Sequence, residues 1–256
     1  MRENKLKTMW AEDKGALNCW MNTDGSLAAE AMMAAPWDSF TIDMQHSLVD
    51  WHSALAMLQT LSQGDRPIFM RVPWLDPAWI MRALDGGAYG IVCPMVNTRA
   101  DCEAFVGACR YAPAGYRSWG PVRGLSYGGP DYFHKANETI VTMAMIETRQ
   151  ALENVDEIMS VPGLDGIYIG PNDLAISMGY EPSYMPQNQE VADAFDTILD
   201  AARRHNLVPG IHCGSAEMAA DMTKKGFRFC TILGATRLMV MGANDALTTA
   251  RDLMRN

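Results

Sequence analysis

Eight short β-rich runs recur along the 256-residue chain, and all but one are followed directly by a segment with helical spacing. The apolar runs are "GALNCWMN" (15–22), "DSFTIDMQ" (38–45), "RPIFMRVP" (66–73), "YGIVCPMV" (89–96), "VTMAMIET" (141–148), "GIYIGP" (166–171), "LVPGIHCG" (207–214) and "FRFCTILG" (227–234). Helical spacing fills 24–35, 51–61, 76–87, 98–110 and 149–160, a segment ending near 205, a segment from 215, and 235–255. The Asp-Pro opening and Gly-Gly close of 76–87 suit a helix start and stop. Irregular stretches are expected over 111–132 and from the sixth run through residue 189. Eight strand–helix alternations with no linker or composition break predict one (β/α)8 barrel domain over 1–256. A doubly wound sheet would need a nucleotide-type glycine loop after a strand, and neither G-x-G-x-x-G nor a Walker loop occurs.

Charge and cysteine content narrow the function. The chain carries 21 basic and 30 acidic residues, a net charge of −9, which argues against nucleic acid or an anionic membrane as the main partner. Apolar residues make up 48% of the chain, 20 of them Met, so a sizeable core is available. Cys19, Cys93, Cys102, Cys109, Cys213 and Cys230 form no C-x-x-C pair and no zinc-type Cys/His cluster. Most lie in apolar runs, as reduced core thiols do. The first fifteen residues lack the apolar stretch of a signal peptide, and no run is long enough to be a membrane helix. A reduced, cytoplasmic setting is expected.

In a barrel of this kind the chemistry sits at the C-terminal strand ends, so the residues standing there matter. Asp43, Gln45 and His46 follow the second strand. Arg71 ends the third, Glu147 ends the fifth, and Asp173 follows the sixth in "IGPNDL". Each has a bland alternative: Asp173 as an N-cap, Asp43-Gln45-His46 as a solvated strand end, Arg71 as a structural strand terminus. Glu147 is harder to set aside, because it closes an apolar run where burial without a partner is costly. Together, two carboxylates, an Arg and a His at one barrel mouth require a joint explanation. With no thiolate or His cluster, the carboxylates suit a hard cation such as Mg2+ or Mn2+, with Co2+ possible, that keeps open positions for a ligand's oxygens. A 2-oxo acid can chelate such a metal. Arg71 can stabilise charge developing on the oxo oxygen, and His46 can move protons near neutral pH. This donor set describes enolate chemistry.

"IDMQHS", "MRVP", "CPMVNT", "MIET" and "DGIYIGPNDLAISMG", in this order from about residue 15 to 243, resemble the HpcH/HpaI aldolase family of class II, metal-dependent pyruvate aldolases. The resemblance implies a barrel of the phosphoenolpyruvate/pyruvate-binding type and aldol cleavage or formation of 4-hydroxy-2-oxo acids. The partners implied are pyruvate or hydroxypyruvate and an aldehyde. It implies Glu147 and Asp173 as metal ligands, Arg71 as the oxo-acid contact and His46 as the proton-transfer residue. Gly170, Asn172 and Asp173 would cradle the substrate carboxylate through main-chain N–H groups. It also pairs the His with an Asp matching Asp85. That residue precedes the fourth strand, so it reaches His46 only from a neighbouring subunit or through unusual loop geometry; the alternative is a plain helix-ending Asp. A homo-oligomer, a hexamer built as a trimer of dimers with the last helix exchanged, is implied as well.

The chain departs from the heptanedioate aldolases at Met44-Gln45, where they commonly carry Gly-Glu, and at Met145, where they carry Gln. Both changes make the mouth less polar and bear on the substrate. In "GYRSWGPVRG", Arg117 and Arg123 are either contacts for a second substrate or solvated loop charges. Two other functions compete: an acyl-CoA lyase of the citrate lyase β-subunit or malyl-CoA type, and an idle barrel that senses oxo acids. The first calls for a more basic surface, and the second has no need of an intact Glu147, Asp173, Arg71 and His46.

Overall fold

The structure, a computed structural model, describes residues 1–255. Its strands are β1 (Ala16–Met21), β2 (Ser39–Asp43), β3 (Ile68–Arg71), β4 (Gly90–Cys93), β5 (Val141–Ile146), β6 (Gly166–Ile169), β7 (Val208–Cys213) and β8 (Phe229–Ile232). Each pairs in parallel with the next, and β8 returns to β1, so the sheet closes into an eight-stranded barrel. Because helices cover the outside, both faces of these strands are buried. That is why they read as continuous apolar runs rather than alternating ones.

Alternation still decides which side chains enter the barrel. Trp20, Phe69, Val92, Val141, Met143, Met145, Tyr168 and Phe229 pack together inside. Ile42, Met70, Ile91, Ile146, Ile167 and Ile211 point outward into the larger core against the helices. A polar set interrupts the interior on the β1–β2–β8 side. Asn18 Nδ2 donates to Thr231 Oγ1 at 2.9 Å, and the hydroxyls of Ser39 and Thr41 each donate to Asn18 Oδ1 at 3.0 Å.

The strand expectations hold, with edges shorter by one to three residues in most cases. Four features were not read from sequence. A helix at Lys5–Ala11 closes the N-terminal end of the barrel: Leu6 is buried with the interior residues, and Trp10 Nε1 donates to the Arg228 carbonyl at 2.8 Å. The irregular 111–132 stretch holds a helix at Val122–Gly128 and leads into another at Tyr132–Thr139. The helix expected over 149–160 breaks at Asn154 into Arg149–Glu153 and Val155–Met159, and the Asn154 amide instead donates to the Asn97 carbonyl at 2.8 Å. A seven-residue helix, Pro171–Ser177, follows β6 directly.

The last helix, Ala235–Arg255, is 21 residues long, yet Ala235 is its only buried residue. Met239, Val240, Met241, Leu247, Leu253 and Met254 along it are exposed. No helix among the described residues is long and apolar enough to cross a membrane.

Candidate active site

At the C-terminal rim, β2 and β3 are in register with Asp43 opposite Arg71. The two form a two-pronged ion pair: Arg71 Nε donates to Asp43 Oδ1 at 2.8 Å and Nη2 to Oδ2 at 2.6 Å. Both are buried, at 8% and 1% exposure, so the pair is held out of water and the geometry carries its full weight. The Arg71 guanidinium also lies 4.8 Å from the centroid of the Trp20 ring, and Trp20 Nε1 donates to Asp43 Oδ2 at 3.2 Å. Burial alone would raise the Asp43 pKa. The bonds and charge of Arg71 overcome that and hold the carboxyl below its ordinary value. The spare capacity of Asp43 Oδ1 orders the next loop, accepting from the N–H groups of Gln45 at 3.0 Å and His46 at 3.4 Å. His46 is exposed on that loop, and its ring makes no hydrogen bond among the described residues.

Glu147, one residue beyond β5, is buried at 2% exposure. Its Oε1 accepts from the Met95 N–H at 2.8 Å. Oε2 faces Gly170, where an added Cβ would lie 2.5 Å from it. Glycine at the end of β6 is therefore what makes room for the carboxylate. Burial pushes the Glu147 pKa up to about 7; the Met95 N–H counters this, the nearby Asp173 charge adds to it, and Arg71 opposes it. Gly170 is the N-cap of Pro171–Ser177, whose first turn carries Asp173 and leaves the N–H groups of Asn172 and Asp173 without intrahelical acceptors.

Asp43, His46, Arg71, Gly170, Asn172 and Asp173 line a cavity of about 500 Å³ together with Trp20, Tyr168, His212 and Tyr184. The structure thus brings His46, Arg71, Gly170, Asn172 and Asp173 together, with Glu147 behind Gly170. It does not bring Asp85 or Arg123 to them. Asp85 ends the helix Pro77–Asp85, at the opposite end of the barrel, and accepts from Arg117 Nη2 at 2.7 Å. Arg123 is taken up by the Gly86 and Leu58 carbonyls and by Ser62 Oγ, the last at 2.6 Å. Within one protomer, Arg123 is therefore a structural cross-link rather than a substrate contact, and Asp85 is not a partner of His46. Asp85 lies where its position before β4 implied, at the far end from His46. Arg123 stands in the long 111–132 stretch, whose path across the barrel the sequence alone does not give.

Sequence reasoning missed Trp20, Tyr168 and His212. Each sits inside an apolar strand and reads as core. The signal was present in the two-residue period: on β7, Val208, Gly210 and His212 share the inward face, and His212 is the last of them before the rim.

A parallel barrel with an acid pair, a clamped Arg and an imidazole at its C-terminal rim belongs to the class of barrel enzymes acting on small oxygenated acids. More narrowly, the chain belongs to the HpcH/HpaI aldolase/citrate lyase family, whose model matches residues 17–240. It is 41% identical over 250 residues to a hydroxypyruvate/pyruvate aldolase of Rhizorhabdus wittichii, covering 98% of this chain and all of that one. A 4-hydroxy-2-oxo-heptane-1,7-dioate aldolase of Klebsiella pneumoniae is 32% identical over 243 residues, covering 94% of this chain and 91% of that one. Among solved structures, an HpcH/HpaI aldolase/citrate lyase family protein of Burkholderia cenocepacia superposes with a TM-score of 0.91 at 27% identity, over 97% of this chain and 99% of that one.

Proposed function

We propose that the chain is a divalent-metal-dependent aldolase that joins pyruvate or hydroxypyruvate to an aldehyde, and cleaves the resulting 4-hydroxy-2-oxo acids. The observation that carries this reading is the state of Glu147. A buried carboxylate with one oxygen lacking any donor among the described residues, set beside a second carboxylate, is costly unless a cation completes it. Glu147 and Asp173 offer hard oxygens, and the described residues contain no cluster of three or more metal-ligating side chains. Two protein ligands suit Mg2+ or Mn2+, which retain positions for water and substrate. Such a cation, when bound, polarises the oxo group of the acid and offsets charge that develops on its oxygen.

The chain's own groups supply the rest. Arg71, fixed by Asp43 and Trp20, presents a guanidinium that cannot swing away, and it stabilises negative charge on the oxo oxygen without reorganising. The free N–H groups of Asn172 and Asp173 hold the carboxylate of the oxo acid. His46 takes the proton from C3 through an imidazole nitrogen, and its backbone N–H anchors the loop to Asp43. The buried Met145 and the Trp20 ring limit water at the reacting carbon. Apart from the clamped Arg71, Arg237 is the one cation lining the cavity among the described residues, which favours small substrates over a CoA thioester.

The exposed apolar residues of Ala235–Arg255 support a homo-oligomer in which this helix packs on a partner copy. In such an assembly Asp85 could serve a neighbour's His46. A retro-aldol assay on 4-hydroxy-2-oxo acids, run with EDTA and then with restored Mn2+ or Mg2+, tests the reading. Activity indifferent to EDTA, or confined to acyl-CoA substrates, overturns it.

A further inference from the structure

Resting on the aldolase reading above, we propose that His212 determines aldehyde specificity: its Nε2 forms a hydrogen bond with a hydroxyl group carried by the aldehyde substrate. The chain positions this nitrogen with a polar relay in the barrel wall. Ser39 and Thr41 both donate to Asn18 Oδ1, and Asn18 Nδ2 donates to Thr231 Oγ1. Tyr168 Oη lies 2.7 Å from the same Thr231 oxygen and 3.3 Å from His212 Nδ1. Nδ1 is thereby engaged with the tyrosine, and Nε2 is the ring nitrogen left to the cavity.

The ring is held as well as oriented. Tyr184 stacks on it, with centroids 5.6 Å apart and planes 24° apart, and Trp20 meets it edge-on at 5.1 Å. Tyr168 is itself stacked on Trp20 at 5.5 Å and fully buried. Tyr184 comes this close because residue 214 is glycine, where a Cβ would lie 2.7 Å from the Tyr184 Cβ. The ring stays neutral in use: burial and then the Arg71 charge press its pKa down to about 4, against a smaller opposing effect of Asp43. His212 lines the cavity, and Nε2 has no hydrogen-bond partner among the described residues.

Position assigns this nitrogen to the second substrate. Arg71, Glu147 and Asp173 stand on the β3, β5 and β6 arc of the rim, where the oxo acid is held. His212 stands on the β7–β8–β1 arc with Asn22, Leu233, Gly234 and Arg237. That arc is what remains for the aldehyde. A half-buried ring nitrogen with no protein partner discriminates by what it loses when substrate covers it: a methyl group set against Nε2 leaves it unsolvated and unpaired, whereas a hydroxyl satisfies it.

The test compares glycolaldehyde with propionaldehyde, which replaces the hydroxyl by a methyl group, each with pyruvate and saturating Mn2+. Wild type should favour glycolaldehyde in kcat/KM by about 10-fold or more, and His212→Leu should bring that ratio down by a similar factor. His212→Gln, which retains polar atoms able to bond a hydroxyl, should keep more of the preference than His212→Leu. Tyr168→Phe, which removes the hydroxyl that holds the ring at Nδ1, should lower the ratio, and it decides the matter should the Leu variant fail to fold. Ratios within twofold of wild type in folded His212→Leu, or in Tyr168→Phe, overturn the proposal. So does a change confined to the hydroxypyruvate-over-pyruvate ratio measured with one aldehyde. Deuterium uptake into the pyruvate methyl group of wild type, with Mn2+ and no aldehyde, reports on the aldolase reading separately. Uptake with an unaltered aldehyde ratio sinks the His212 assignment alone, and no uptake sinks the reading beneath it.

Discussion

Replacing Glu147 by Gln should stabilise the metal-free protein at neutral and alkaline pH. Gln keeps the shape and an oxygen to accept from Met95, but it removes a charge that burial opposes. The native carboxyl, with its pKa lifted to about 7 from an ordinary 4.5, binds a proton more tightly folded than unfolded. Between those two values the native state holds more protons than the unfolded one, so stability from this group is fully present below 4.5 and is lost as pH rises through about 7. At about 1.4 kcal/mol per pH unit, the loss reaches about 3 kcal/mol above pH 7. His212 complicates a wild-type curve alone. Its depressed pKa gives the opposite slope between about 4 and 6.5, where the unfolded state holds the extra proton. The difference between wild type and Glu147→Gln cancels that contribution. Urea unfolding in EDTA at several pH values should show the variant gaining on wild type from near zero around pH 4, through about 1 kcal/mol at pH 5, to about 3 kcal/mol at pH 8. Adding Mn2+ should reverse the order, because only wild type gains binding free energy. A difference that stays flat from pH 5 to 8 would refute the view that Glu147 is a strained, buried carboxylate awaiting a cation.

Three further outcomes follow from the rim. Arg71→Lys should lower kcat/KM by about 10²-fold with little change in apparent oxo-acid binding, since Lys cannot keep both bonds to Asp43 and the stack on Trp20; steady-state kinetics matching wild type would make Arg71 a structural terminus. His46→Ala should slow deuterium uptake into pyruvate by about 10²–10⁴-fold while Mn2+ titrations stay the same, and exchange at the wild-type rate would send the search for a base elsewhere. Gly170→Ala should weaken Mn2+ binding by about 10-fold or more, because the new methyl group meets Glu147 Oε2 at 2.5 Å; unchanged affinity by calorimetry would show that this oxygen is not a ligand.

The barrel was legible because each parallel strand is buried on both faces, and unbroken apolar runs of four to six residues are hard to mistake eight times over. The short helices were not. Lys5–Ala11 and Pro171–Ser177 have seven residues each, too few turns to establish a 3.6-residue period, and they owe their existence to what they pack on. At the site, Arg71 and Glu147 announced themselves as charges ending apolar runs. Asp85 was suggested by the family resemblance alone and Arg123 by a charged loop, and within one protomer both make cross-links between segments. Tyr168 and His212 gave no signal to a reading by composition, since an aromatic or an imidazole inside a strand resembles core. Only the parity of their positions shows which way they face.

The filled interior has a consequence for traffic. Trp20, Phe69, Met143, Tyr168 and Phe229 plug the barrel, and Leu6 of the N-terminal helix packs against them from below, so the base offers no path to the cavity at the rim. On the aldolase reading, the oxo acid held by the deeply set Arg71 and Glu147 should enter first and leave last. The aldehyde should arrive behind it, and product release should run in the reverse of that order.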